Sequence, residues 1–114
     1  MPHTPASVEK ELRKLCKSKS LEFRTRAITG ASGLLIWGEK GLPSLIVIDP
    51  AHGAVIDTAD HELLHYRFRK DIQVWGSELE EAIIEALEDR IVRYINRSEK
   101  RVNWWRNAIT KRLP

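Results

Sequence analysis

The chain has 114 residues, one cysteine and a formal net charge of +3, and 42% of its residues are hydrophobic. This length allows one domain with a modest core and excludes two, and a single cysteine excludes an internal disulfide. The longest apolar runs, such as residues 45–48, are too short to cross a membrane, and the N-terminus lacks the apolar segment of a signal peptide. We therefore expect one cytoplasmic domain spanning residues 1–114, with no membrane partner and with Cys16 as a buried apolar residue.

Charge is distributed unevenly along the chain. Residues 1–26 carry seven basic and three acidic groups, for a net charge of +4, and residues 97–114 carry six and one, for +5. Residues 27–96 carry six basic and twelve acidic groups, for −6. An acidic middle is suited to a cation, and basic ends are suited to an anionic partner. Solvated helix faces are the simpler explanation for the basic ends taken alone.

The first half of the chain has the pattern of a helix followed by strands. Thr4 before Pro5 is typical of an N-cap and first helical position, and apolar spacing predicts a helix over residues 5–18. Apolar alternation and short apolar runs predict three strands, at residues 21–28, 34–37 and 44–49. Glycines between the second and third strands predict a hairpin there.

The second half of the chain is predicted to be helical. Asp57 is expected to cap a helix over about residues 58–69, and Ser77 to cap a long third helix. Ser98 is expected to cap a last helix within the basic, tryptophan-rich residues 97–114. This order predicts an α+β fold, with an N-terminal helix, a small three-stranded sheet covered by helices on one face, and long C-terminal helices.

Residues 61–65 read H-E-L-L-H and match the pattern H-E-x-x-H. Histidines four residues apart share one helical face, so His61 and His65 can direct two imidazoles at one zinc ion. Glu62 lies about 100° further round the helix, where its carboxylate can reach a water molecule beside the metal and act as a general base. Leu64 and Phe68 share the histidine face, so the site is expected to turn inward. The alternative is two histidines that are hydrogen-bonded in the core without a metal.

Zinc bound by two histidines needs a third protein ligand. No histidine follows residue 65, so this ligand is a carboxylate, His3 or His52. Glu80 lies on the apolar stripe of the predicted third helix, where a buried carboxylate needs a cationic partner, and is the preferred candidate. Glu81, on a mixed border face, is the second candidate. Ser77 and Glu80 also fit a capping box, in which Glu80 bonds to the Ser77 amide without a metal.

The strand "LIVID", the segment "DTADHELLH" and the acidic helix after it resemble the small zincin-type (gluzincin) metallopeptidases of phage and bacteria, of the ImmA/IrrE-like and SprT-like kinds. The resemblance covers about residues 30–95, within a domain core of residues 20–96. It implies a minimal zincin-like fold in which two histidines and a glutamate of the next helix hold zinc. In this sequence these ligands are His61, His65 and Glu80, and Glu62 activates water.

The same resemblance implies a zinc-dependent hydrolase, most simply a metallopeptidase that acts on a protein or peptide. An extended peptide is then expected to add to a strand edge near residues 45–49. His52 and Tyr66 are the local candidates for a group that stabilises the transition state.

Two other functions fit the sequence. One is a phage or bacterial accessory protein without catalysis, in which a metal serves stability or has been lost. The other is nucleic-acid binding through the C-terminal helix, because Trp104 and Trp105 alternate with basic residues that suit phosphate contacts and base stacking. The simpler interpretation of that helix is an amphipathic one whose tryptophans cover the core.

Overall fold

Four α-helices and a three-stranded sheet make up residues 4–113, the part of the chain that the computed structural model describes. The elements in chain order are α1 (Pro5–Cys16), β1 (Leu21–Thr25), β2 (Gly33–Ile36), β3 (Ser44–Ile48), α2 (Val55–Ile72), a 3₁₀ turn (Gln73–Trp75), α3 (Ser77–Asn96) and α4 (Glu99–Arg112). The predicted α+β class is confirmed. None of the helices within residues 4–113 combines the length and apolar character needed to cross a membrane.

The first and last helices begin where the sequence predicts. The Thr4 hydroxyl accepts a hydrogen bond from the Ser7 amide at 3.1 Å. The Ser98 hydroxyl accepts one from the Arg101 amide at 3.3 Å. Each of these hydroxyls satisfies a backbone N–H that has no partner within its helix, which fixes the start of α1 and of α4.

The predicted caps of α2 and α3 are wrong. Helix α2 begins at Val55 with Ala54 at the N-cap, so Asp57 lies inside the first turn, where its charge still favours the helix dipole. Helix α3 begins after Gly76 and has no side-chain cap, so the capping box of Ser77 and Glu80 does not form. The Glu80 carboxylate is therefore not needed at the helix start.

The sheet has the order β1–β3–β2, with β1 parallel and β2 antiparallel to β3. Because β3 is hydrogen-bonded on both sides, the expected strand edge near residues 45–49 does not exist. The free edges of the described sheet belong to β1 and β2. Alternation of apolar and polar residues indicates which residues form strands, but it does not indicate which strand lies in the middle of the sheet.

Asp49, directly after β3, forms hydrogen bonds that hold the segment before β2. The Asp49 carboxylate accepts hydrogen bonds from the amides of Ile28 at 2.8 Å and Ala51 at 3.0 Å. These bonds stabilise the charged form and lower the pKa of Asp49, mainly through Ile28. The Asp49 amide in turn donates to the Ser32 carbonyl at 2.8 Å. Residues 31–33 are held in place just before β2.

Helix α2 lies at the centre of the fold, in contact with α1, α3, α4, β2 and β3. Its residues Leu63 and Leu64 are fully buried. Alternate strand residues face the same core, whose largest fully buried side chains include Leu12, Leu21, Ile46, Ile48, Ile84, Ile95, Trp105 and Ile109. Cys16 is buried too, as predicted, and burial raises the pKa of its thiol to about 11.

The tryptophans of α4 are engaged within the fold. Trp105 is fully buried, and its indole N–H donates to the Glu9 carboxylate at 3.3 Å. Trp104 packs edge-on against Trp105, with the guanidinium of Arg13 4.4 Å and the ammonium of Lys17 5.2 Å from its ring centre. Both indoles thus hold α4 against the rest of the molecule.

Candidate metal centre

Three side chains from two helices converge on one point. His61 and His65 lie one turn apart on α2, and their Nε2 atoms are 3.2 Å apart. Glu81 of α3 meets both, with its carboxylate oxygens 2.9 Å from Nε2 of His61 and 3.0 Å from Nε2 of His65. Within residues 4–113 these three side chains form the one group of metal-ligand type whose ligand atoms all lie within 4.8 Å of one another.

The geometry of this group fits zinc. Two Zn–N bonds of about 2.0–2.1 Å at a tetrahedral angle place their nitrogens about 3.3 Å apart, close to the 3.2 Å between the two Nε2 atoms. Two imidazoles and one carboxylate form a ligand set that leaves a fourth position open, as catalytic zinc sites do. The group therefore has ligand types and a spacing that could hold a metal ion such as zinc.

A second pair of carboxylates binds the opposite nitrogens of the two histidines. Nδ1 of His61 is 3.0 Å from Glu88, and Nδ1 of His65 is 2.8 Å from Glu80. Carboxylates in this position fix the ring orientation and the tautomer, so that Nε2 presents its lone pair to a metal. Glu80 is buried, as its place on the apolar stripe predicts. The structure nevertheless puts Glu81 rather than Glu80 against the converging Nε2 atoms.

Without a metal, the surroundings of His61 favour its protonated form. The hydrogen bond with Glu88 is the main cause that raises the pKa of His61 to about 8; burial opposes the rise, and nearby carboxylates, Glu62 first, add to it. Protonated His61 donates from Nδ1 to Glu88, and its Nε2 proton lies near Glu81, whose carboxylate oxygen is within ion-pair distance at 2.9 Å from Nε2. A metal ion would occupy the position of the second proton, so metal binding would release it.

Glu62 lies beside this group, and its carboxylate has no hydrogen-bond partner among residues 4–113. Only 5% of the residue is exposed. Burial raises the pKa of Glu62, while His61 and His65 lower it. A buried carboxylate without a hydrogen-bond partner is costly, and burial favours its protonated form over its charged form. This is the environment that a general base needs.

The group opens into a cleft of about 710 Å³ between β2 and the helices α2 and α3. Residues Gly33 to Leu35 of β2 form one wall, so the free edge of this strand runs beside the metal ligands. Arg69 is the one basic side chain, other than the two histidines, among the described residues that line the cleft. The wall carries six carboxylates, which are Asp57, Glu62, Glu80, Glu81, Glu85 and Glu88.

The other sequence candidates lie away from the cleft, and His3 falls outside the described residues. His52 is exposed and sits 3.4 Å from the Asp49 carboxylate. Tyr66 stacks on Trp37 at 5.2 Å, and its hydroxyl lies 3.3 Å from that of Ser20. Neither His52 nor Tyr66 lines the cleft.

The sequence assigns no role to two residues that line the cleft, Arg69 and Glu88, although helical spacing relates both to the candidate ligands. Arg69 follows His65 by four residues, which places it on the same face of α2. Glu88 follows Glu81 by seven residues, two helical turns, so both face α2. Neither spacing assigns a role to its residue until the packing of α2 against α3 is known.

No protein-family model, curated protein or solved structure matches this chain. Two imidazoles and a carboxylate converge, a buried carboxylate stands beside them without a partner, and the cleft runs past a free strand edge.

Proposed function

We propose that His61, His65 and Glu81 bind a zinc ion and that the protein is a zinc-dependent hydrolase that cleaves peptides. The convergence of the two Nε2 atoms on the Glu81 carboxylate carries this proposal. When bound, zinc supplies a Lewis acid that polarises a carbonyl group and lowers the pKa of water. The order of strand, H-E-x-x-H helix and acidic helix supports the finer proposal of a minimal zincin-like domain.

Each residue of the centre has a separate role in this proposal. Glu80 and Glu88 orient the imidazoles through their Nδ1 atoms. Glu62 accepts a proton from the attacking water and passes it to the leaving amine. The edge of β2 offers backbone N–H and C=O groups to an extended peptide, which would run along the cleft.

Replacing Glu62 with glutamine separates catalysis from metal binding. We expect Glu62→Gln to retain stoichiometric zinc, because Glu62 is outside the ligand group, and to lose roughly 10²–10⁴-fold in turnover, because the general base is gone. His61→Ala should lose the zinc itself. Elemental analysis of the purified proteins and cleavage of fluorescence-quenched peptides measure the two effects.

Glu78→Gln is the matched control, since Glu78 lies on α3, is exposed and does not line the cleft. It should leave zinc content and cleavage unchanged. A wild-type protein that takes up no zinc, or a Glu62→Gln variant as active as wild type, would refute the proposal. Stoichiometric zinc without any cleavage would support the alternative in which the metal only ties α2 to α3.

A further inference from the structure

The two ends of the cleft carry opposite charge. His61 contacts Glu88 while His65 contacts Glu80, so α2 and α3 run antiparallel along the cleft. Asp57, one turn before His61, therefore lies at the same end as Glu85 and Glu88. Arg69, one turn after His65, lies at the opposite end. The metal ligands stand between them.

The acidic end holds two carboxylates that the protein itself leaves unsatisfied. Glu80 and Glu88 each bind a histidine, whereas the side chains of Asp57 and Glu85 form no hydrogen bond or ion pair with any residue between 4 and 113. Glu85 also lies one turn from both Glu81 and Glu88, and like charges at this helical spacing repel. Burial and the charge of Glu88 raise the pKa of Asp57, as expected for a crowded carboxylate.

A ligand in the cleft is indicated independently by Glu62. Glu62 is 5% exposed and lines the cleft, and its carboxylate has no hydrogen-bond partner among the described residues, so a molecule that enters the cleft can supply one. The free edge of β2 on the opposite wall suits an extended chain. A peptide that pairs with β2 passes the metal ligands and reaches the acidic end in one direction and Arg69 in the other.

Resting on the proposed peptidase function, we propose that Asp57 and Glu85 form a cation subsite that selects a lysine or arginine side chain on one side of the cleaved bond. A basic side chain there would offset the charge of Glu88 that acts on Asp57 and the repulsion of Glu85 by Glu81 and Glu88, its neighbours one helical turn away. Arg69 at the other end, its guanidinium 5.6 Å from the Trp37 ring centre, disfavours a basic side chain on the other side. The preference for a basic residue is therefore one-sided.

Cleavage of matched peptide pools tests the cation subsite. Two pools of fluorescence-quenched decapeptides are randomised except at one fixed position, which holds lysine in one pool and glutamate in the other. With zinc-loaded wild type we expect kcat/KM to be roughly tenfold higher for the lysine pool, and the ratio to shrink as salt rises from about 0.1 M to about 1 M. Mass spectrometry of the products should place lysine on one side of the cut.

Charge reversal at Glu85 provides the matched comparison. Glu85→Lys should abolish or reverse the preference while zinc content stays at wild-type level, because Glu85 is not a ligand. Asp89→Lys makes the same charge change on α3 outside the cleft, where Asp89 pairs with Arg93 at 3.1 Å, and should keep the preference. Equal cleavage of both pools by wild type, or the same loss in both variants, would overturn the cation subsite and leave the peptidase proposal standing.

If no cleavage occurs, the peptidase proposal and the cation-subsite proposal can still be tested separately. If zinc-loaded wild type cleaves neither pool, the peptidase function fails, and binding of fluorescently labelled versions of the same pools then decides the subsite alone. Tighter binding of the lysine pool to wild type than to Glu85→Lys, measured by fluorescence anisotropy, would support it. Equal binding of the lysine and glutamate pools would refute it.

Discussion

At the scale of single residues, the centre depends on which of two adjacent glutamates meets the metal. The sequence predicts a carboxylate from the start of α3 facing His61 and His65, and the structure brings two there. Neighbouring residues on a helix point about 100° apart, so a small rotation of α3 about its own axis exchanges their roles. Burial alone favoured Glu80, yet in the structure the more buried glutamate binds Nδ1 and the more exposed one meets Nε2.

Glutamine substitutions distinguish these roles through zinc affinity. Glu80→Gln and Glu88→Gln each keep a hydrogen-bonding group near a histidine and should weaken zinc binding roughly 10–100-fold, as loss of an orienting carboxylate does. Glu81→Gln removes the charged ligand and should cost more than either. Competition with a chromophoric chelator measures all three. A larger loss for Glu80→Gln than for Glu81→Gln would make Glu80 the ligand.

At the scale of elements, the sequence predicts the helices and the hairpin of β2 and β3, but not the parallel pairing of β1 with β3. Thr4 and Ser98 mark helix starts through local hydrogen bonds, and Trp105 is fully buried, as expected for an amphipathic C-terminal helix whose tryptophans cover the core. Such features involve residues close together in the chain. The insertion of β3 between β1 and β2 depends on contacts between distant segments, and apolar alternation is the same for a central and an edge strand.

The contact between β2 and α2 can be tested at Gly33. A Cβ atom there would lie 2.5 Å from Cγ2 of Thr58 and 3.3 Å from Cγ of Glu62, so only glycine lets the strand approach the helix this closely. We expect Gly33→Ala to lower the free energy of unfolding by about 1–3 kcal/mol through overpacking. It should also reduce peptide cleavage by moving Glu62, with zinc content unchanged.

Chemical denaturation, cleavage assays and elemental analysis of Gly33→Ala give these three quantities. Ile36→Ala on the same strand is the control, since Ile36 is 45% exposed and does not line the cleft; its activity should match wild type. Wild-type stability and activity in Gly33→Ala would mean that β2 does not press on the general base.

At the scale of the whole molecule, the acidic middle and the basic ends of the sequence lie in different parts of the fold. All six carboxylates of the cleft come from the acidic residues 27–96, on two consecutive helices that run antiparallel. The basic ends of the chain form α1 and α4, which meet where Arg13 and Lys17 cover Trp104. The sequence therefore predicts that the middle of the chain suits a cation. It does not predict that this acidity concentrates in one cleft, because that depends on how α2 and α3 pack.

Zinc that bridges these two helices should stabilise the entire fold. Helix α2 contacts every other helix and two strands, so its local opening requires much of the core to open as well. A ligand that binds only the folded chain adds about 2.7 kcal/mol at a free concentration 100 times its Kd. For a domain of this size we expect the melting temperature to rise on the order of 10 °C with zinc. Calorimetric scans with zinc and with chelator measure the rise, which His61→Ala should abolish and Glu62→Gln should keep. An equal rise in wild type and His61→Ala would show that zinc stabilises the protein from another site.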